Sequence, residues 1–420
     1  MGAIDGRRAA RHGAFAVAMG IVGAAASAVL CVTVGFAADL SARFPWLLFL
    51  LPLLAVASLL LYRALKLPLD TTTRSVVEAM RADEPISPAL APGILLGTAL
   101  SIAGGASVGK EAGALHMGAS LGDLVARPFR LKSMWRADER AGRAEEGMAA
   151  CAAATGMAAT FAALFFAPLG ATAFVLELAR TRRAVLRHSP SILAACLVAF
   201  LCARAIGIGD VIPKVPLPAL DWTVAGQGVL VALAAAAGGA LYGRAIEGSQ
   251  ALTGRLSKNY YLWAALGSVA FAAVVTFGGW QAFEGTGGNQ LAAALDGRAE
   301  PWGFAVKGLL TVVCLGCWLR GGEIMPTFAT GALLGATCAD LMGVGGGWCA
   351  AVGLVAFFAA MSRCPVAAFL MGCEIFGFAG ALLFAVAAVV PFLLVGRAGY
   401  YGKTVLKIAG RRLAGRDRAS

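Results

Sequence analysis

Residues 104–122 read GGASVGKEAGALHMGASLG. An acid, Glu111, stands beside Lys110 in an otherwise apolar, glycine-rich stretch at the expected start of a helix. Gly104, Gly105 and Gly109 free the backbone to leave helical geometry just before the carboxylate, so amide N–H groups with no helical acceptor can face a ligand. Such an end attracts anions. Past Glu111, the small residues Ala114, Gly118 and Gly122 recur every fourth position, the spacing that lets membrane helices approach closely. The stretch reads as a broken helix aimed at an anion inside a bilayer.

Composition agrees about the solvent. The 420 residues are 59% hydrophobic and 14% charged, with 54 glycines, and the mean hydropathy is +0.78. That balance excludes an ordinary soluble protein and predicts an all-α polytopic membrane protein. The net charge of +12 does not point to nucleic acid, because no aromatic-interleaved soluble module accompanies it. Its residues cluster between apolar spans instead. Arg7, Arg8 and Arg11 precede the first span, Arg180, Arg182, Arg183 and Arg187 follow a later one, and Lys403, Lys407, Arg411, Arg412, Arg416 and Arg418 close the chain. The positive-inside rule then places both termini in the cytoplasm, and the expected location is the cell inner (plasma) membrane, as a multi-pass protein.

The run after Arg11 contains AAASA but continues to Ala38, long enough to span, so it is expected as an uncleaved first helix rather than a signal peptide. Ten cysteines lie scattered in apolar segments. Cys314 and Cys317 have CxxC spacing, but they sit in TVVCLGCWL without a second pair, so they are expected as buried small hydrophobes and no metal or cofactor is implied.

Apolar windows fall near 14–38, 45–65, 88–105, 110–126, 146–178, 189–207, 223–243, 259–279, 302–319, 323–342, 345–375 and 378–396. Several are short or interrupted by glycine and proline, which predicts discontinuous helices. The polar, proline-rich break GDVIPKVPLPALDW divides the chain. The expected parts are a cytoplasmic start (1–13), a first membrane repeat (14–208), a linker (209–222), a second membrane repeat (223–405) and a basic cytoplasmic tail (406–420).

The halves echo each other. Gly118–Gly122 is answered by Gly331–Gly335, and at the same offset Gly109-Lys110-Glu111 falls on Gly322-Glu323-Ile324. Pro168 precedes Glu177 by nine residues and Pro365 precedes Glu374 by nine, with Gly156 and Gly353 each twelve residues before those prolines. Duplication with broken helices in matching positions points to a transporter whose site lies between the repeats. Pro326, four residues beyond Gly322 in RGGEIMP, suits a first helical turn.

These residues resemble the CLC family of chloride channels and anion/proton antiporters. GGASVGKEAG is similar to its G-K/R-E-G-P segment, PLGATAFVLE to its P-L-A-G-x-x-F-x-x-E segment, and RGGEIMPTFATGALLG to its G-x-F-x-P segment. The resemblance spans about residues 14–405 and implies a homodimer of the CLC-type inverted-repeat fold with discontinuous helices, each subunit carrying its own anion pathway. Glu111 then matches the gating glutamate, which occupies the anion site when ionised and swings out with its proton when neutral. Gly109 and Lys110 in the first break, with Gly322, Ile324 and Met325 in the second, become anion-binding candidates. A structural ion pair of Glu111 with Lys110 or another cation is the alternative.

Departures sharpen the resemblance. In place of the family's G-S-G-I-P segment stands PLDTTTRSVVEA, which puts Thr71 where an anion-binding serine belongs; a threonine hydroxyl can donate to a halide, or the threonines can simply cap a helix. The proton-transfer glutamate of chloride/proton exchangers would fall at Leu178, and the neighbouring Glu177 reads as an acid at a helix end or a relay. Ile324 replaces the phenylalanine that lines the chloride site, and Glu323 precedes it. GGE-I-x-P without the internal glutamate is similar to the fluoride-exporting CLC-F branch, in which an extra acid at the second break handles protons and fluoride. Met325 departs from that branch and puts any bound sodium ion in doubt. Glu323 could instead neutralise Arg320. Tyr400 or its neighbour Tyr401 is a candidate for the family's anion-coordinating tyrosine, with interfacial anchoring as the alternative. Asn289 is read as an anion ligand or a cap, and His116 as a packed or lipid-interface side chain. The expected activity is a fluoride/proton antiporter, with a chloride-selective channel or chloride/proton antiporter as the alternative. A membrane enzyme is a remote third reading, since no HExxH or nucleophile elbow occurs.

Overall fold

The structure is a computed structural model, and it describes residues 2–129, 148–179, 183–208, 212–345, 347–395 and 400–401. Arg180, Arg182 and the basic cluster from Lys403 to Arg418 lie outside the described residues. Seventeen α-helices and no strands occur among those residues. In the first half these are α1 (Gly2–Arg43), α2 (Leu51–Ala64), α3 (Thr73–Ala82), α4 (Leu90–Ala103), α5 (Glu111–Ala126), α6 (Met148–Phe165), α7 (Pro168–Leu178), α8 (Arg183–Arg187) and α9 (Ser189–Ile206). In the second half they are α10 (Trp222–Leu256), α11 (Tyr260–Gly278), α12 (Gly288–Leu295), α13 (Gly303–Gly316), α14 (Ile324–Met342), α15 (Trp348–Ser362), α16 (Pro365–Phe376) and α17 (Ala381–Leu394).

Six helical segments among the described residues are long and apolar enough to cross a bilayer. The others are shorter and lean on them. Val32 and Phe36 of α1, Leu201 of α9, Leu241 of α10 and Phe277 of α11 stand exposed, an outward belt suited to lipid. By contrast, 83% of the apolar window of α14 is buried. A spanning-length helix packed inside protein is a pathway element rather than a lipid-facing one.

The apolar windows at 146–178 and 345–375 are each two helices. Phe166 (φ 53°) and Arg363 (φ 62°) adopt the left-handed conformation two residues before Pro168 and Pro365. The residue before a proline is pushed out of helical geometry, and Ala167 and Cys364, with ψ of 73° and 74°, are non-helical accordingly. Each proline then opens the next helix.

The second half repeats the first with its direction reversed. Gly118 of α5 meets Gly156 of α6, and Gly331 of α14 meets Gly353 of α15, so closely that a methyl on Gly118 would collide with the Gly156 carbonyl. Left-handed residues recur at matched offsets: Lys66 with Gly279, and Gly105 with Trp318. Helices α7 and α16 cross the repeat boundary side by side. Glu177 near the end of α7 accepts from the amides of Val366 and Ala367 at the start of α16 (3.3 and 2.8 Å), while Glu374 near the end of α16 accepts from Leu169 and Gly170 at the start of α7 (2.9 and 2.7 Å). Each carboxylate meets its partner's positive helix end, and the reciprocity holds only if the two helices run antiparallel. The repeats are therefore inverted.

Candidate functional site

The two helix breaks meet. Gly109 N–H donates to the Gly322 carbonyl and Gly322 N–H to the Gly109 carbonyl, both at 2.7 Å, in an antiparallel bridge. Glycine is required here by crowding: a Cβ on Gly322 would strike Ala112, and one on Gly109 would meet Pro326 and the Glu111 carboxylate. The bridge fixes the N-termini of α5 and α14 against each other.

Around it the expected residues are arranged as follows. Glu111, fully buried, opens α5, and its Oε2 accepts from the Met325 amide of α14 at 3.2 Å. One repeat's acid thus sits on the other repeat's helix end. Ile324 is the first residue of α14 and is completely buried, Met325 is 5% exposed, and Lys110 is half-buried. Glu323 precedes α14 and is 2% exposed. Its Oε2 accepts from Thr73 Oγ1 at 3.1 Å, and its Oε1 accepts a short hydrogen bond from the Tyr401 hydroxyl.

Three adjacent threonines have three separate partners. Thr71, the residue expected at the anion site, turns its hydroxyl back to the Pro68 carbonyl at 2.7 Å. Thr72 is the N-cap of α3 in a reciprocal capping box with Ser75, which satisfies amides the helix start leaves open. Thr73 therefore begins the helix facing inward, and it is the hydroxyl that reaches the acid. The tyrosines resolve similarly. Tyr400 is buried, with its amide on the Met361 carbonyl (2.9 Å), and Tyr401 touches Glu323. Burial of both rings excludes interfacial anchoring. Arg81, which the sequence reading missed, holds Tyr401 in place by donating to its carbonyl (2.9 Å) and to that of Leu178 (2.6 Å). The Tyr401 ring packs edge-on against Phe174, at 6.2 Å between centroids.

Glu323 does not neutralise Arg320. The Arg320 terminal nitrogens go to the carbonyls of Leu69 (2.6 Å) and Thr71 (3.0 Å), and its guanidinium lies 4.0 Å above the Tyr62 ring. His116 is buried at 2% exposure, packed rather than at the lipid interface. Asn289 is exposed in the wall of a cavity of about 630 Å³, and the N-cap of α12 is Gly287, so Asn289 does not cap that helix.

Glu284 also lines that cavity and lies against Gly105 just before the first break. Lys307 of α13, fully buried, donates to the carbonyls of Phe283 (3.0 Å) and Gly285 (2.8 Å) and so ties this loop down. Burial pushes the Glu284 carboxyl up to about 7, against the opposing pull of the Lys307 ammonium.

The comparisons with known proteins bear on the fold and the family. A family model described as voltage gated chloride channel matches residues 54–396. A chloride/fluoride channel protein of Pseudomonas syringae pv. tomato (strain ATCC BAA-871 / DC3000) is 30% identical over 407 residues, covering 92% of this chain and 85% of its own length. Among solved structures, a CLC-type fluoride/proton antiporter superposes with a TM-score of 0.81 at 22% identity, covering 93% of this chain and 96% of that one. A slow cyanobacterial Cl−/H+ antiporter gives 0.77 at 19% identity, covering 97% and 99%. Two inverted repeats joined at paired glycine breaks, a buried glutamate on each side of the junction and a family match over most of the chain lead to one conclusion: this multi-pass membrane protein belongs to the CLC family of anion channels and transporters and is not an enzyme.

Proposed function

We propose that the chain is a fluoride/proton antiporter of the CLC-F kind that exports fluoride, with Glu111 as gate and proton carrier and Glu323 as a second acid. The observation that carries this reading is Glu323 itself, a buried carboxyl at the second helix break in contact with Thr73 and Tyr401. An ordinary halide needs only N–H and O–H donors there. A carboxyl adds a donor when protonated, and fluoride, being small and the strongest hydrogen-bond acceptor among the halides, gains most from it.

Ionised Glu111 holds the Met325 amide, the kind of donor a halide would use. Protonation removes its charge and weakens its claim on that amide, so the anion can take its place while the acid leaves with a proton. The backbone of Gly109, Lys110, Gly322, Ile324 and Met325 forms the cradle. Thr73 and Tyr401 take the hydroxyl roles first assigned to Thr71 and Tyr400. The working unit is a homodimer in the plasma membrane with both termini cytoplasmic, in keeping with the basic residues that flank the spans. Residues 14–208 and 223–405 are its two membrane repeats, joined by 209–222. This orientation puts Thr73, Glu323 and Tyr401 toward the cytoplasm.

The test is halide selectivity in proteoliposomes, with fluoride and chloride release followed by ion-selective electrodes. Faster fluoride release is expected. Faster chloride release would favour a chloride-selective member of the family, in which Leu178 marks the loss of the usual proton route.

A further inference from the structure

Where α9 ends, a cavity of about 400 Å³ opens between that helix, the α6–α7 corner, the end of α16 and the linker to α10. Phe165, Phe166, Phe200, Arg204, Lys214 and Glu374 stand in its walls. Its volume is that of a pocket able to hold a small molecule, roughly 300–1,000 Å³. Helix α9 is long and apolar enough to span, and Arg204 lies in its last turn, one turn beyond Phe200. Lys214 follows in the linker, and both cations are exposed. They stand at the level of lipid headgroups, where long basic side chains come to rest. Leu197 and Leu201 of the same helix are 43% and 62% exposed, at the depth of acyl chains. Among the described residues neither cation forms an ion pair. Glu374, in the same wall, spends its two oxygens on the Leu169 and Gly170 amides at 2.9 and 2.7 Å. The cavity is thus positive at its rim and aromatic below, with Phe166 and Phe200 edge-to-face at 6.1 Å between centroids.

An occupant has to satisfy both halves. Water hydrates the cations and leaves the rings uncovered, and so does a free inorganic anion. A second copy of this chain, joined about a two-fold axis, presents the same patch and brings two more cations with the same committed acid. An anionic phospholipid answers both, because a guanidinium and an ammonium hold a phosphodiester and the rings bed an acyl chain. We propose that this cavity binds an anionic phospholipid, its phosphate held between Arg204 and Lys214 and the start of one acyl chain laid on Phe166 and Phe200. The site is separate from the junction of the helix breaks and does not depend on which halide the protein carries.

The purified full-length protein in mild detergent is titrated with phosphatidylglycerol, with phosphatidylcholine of the same chains and glycerol phosphate as comparisons, and bound lipid is counted by native mass spectrometry. Phosphatidylglycerol binds about tenfold more tightly than phosphatidylcholine, and glycerol phosphate does not bind. The double variant Arg204→Gln, Lys214→Gln brings phosphatidylglycerol down to the phosphatidylcholine level, and Lys214→Gln alone gives part of that loss. Both side chains are exposed, so the variants keep the fold, which their melting temperatures check. Equal binding of the two lipids by the wild type, or phosphatidylglycerol affinity unchanged in the double variant, would overturn the site. Glycerol phosphate binding as tightly as the lipid would overturn it in favour of a soluble anion. A double variant that changes the balance of monomer and dimer and not lipid binding would assign the face to a second copy instead.

Discussion

At the scale of single residues, the account turns on two acids and the atoms they touch. Glu111→Gln removes the proposed proton carrier and leaves a neutral side chain of the same shape. Proton movement coupled to the anion is expected to vanish, read as loss of vesicle alkalinisation or acidification under a fluoride gradient, whether or not anion flux persists. Tyr401→Phe removes a hydrogen bond to a carboxyl; losing such a bond costs roughly 1.5–3 kcal/mol, so fluoride turnover should fall about tenfold or more. Tyr400→Phe should leave it within about twofold. The acids themselves were legible in the sequence, because a carboxylate beside glycines in an apolar run has few reasons to be there. Their partners were not. The choice between Thr71 and Thr73 depends on which threonine caps α3, and Thr72 takes that position through Ser75, a contest among three identical residues that no local spacing settles. Tyr401 is selected over Tyr400 by Arg81 and Phe174, both distant in the chain.

At the scale of elements, the breaks and crossings follow from glycine and proline, which is why the duplicated pattern could be read before the structure. Gly118 and Gly331 mark helix pairs whose backbones touch. Gly118→Val puts three carbon atoms where the Gly156 carbonyl stands, and a loss of at least about 4 kcal/mol is expected, seen as aggregation or a collapsed melting temperature in detergent. Glu177 has a different task. Its two oxygens cap α16 as those of Glu374 cap α7, so Glu177→Gln should lower stability by about 1 kcal/mol while proton coupling stays intact. Loss of coupling in a stable Glu177→Gln protein would return it to a relay role. The direction of the second repeat was not visible in the residues alone, because the same glycine and proline spacing serves parallel and antiparallel copies. Only the reciprocal caps and the Gly109–Gly322 bridge fix it.

At the scale of the whole molecule, inversion brings two helix N-termini to one point from opposite sides, and the bridge between them leaves an acid of each repeat beside the junction. Among the described residues, Thr73 and Glu323 line a small cavity and Glu284 a separate, larger one. That arrangement suits exchange, in which an anion and a proton displace each other at a common place, better than free diffusion. The measurement that tests this most directly is proton movement in vesicles holding the wild-type protein, loaded with fluoride and diluted into fluoride-free buffer at equal pH on both sides. The account predicts that fluoride leaving drives protons inward, acidifying the lumen, and that chloride in its place drives far less. Fluoride release with no change in luminal pH, the membrane potential being clamped, would contradict it.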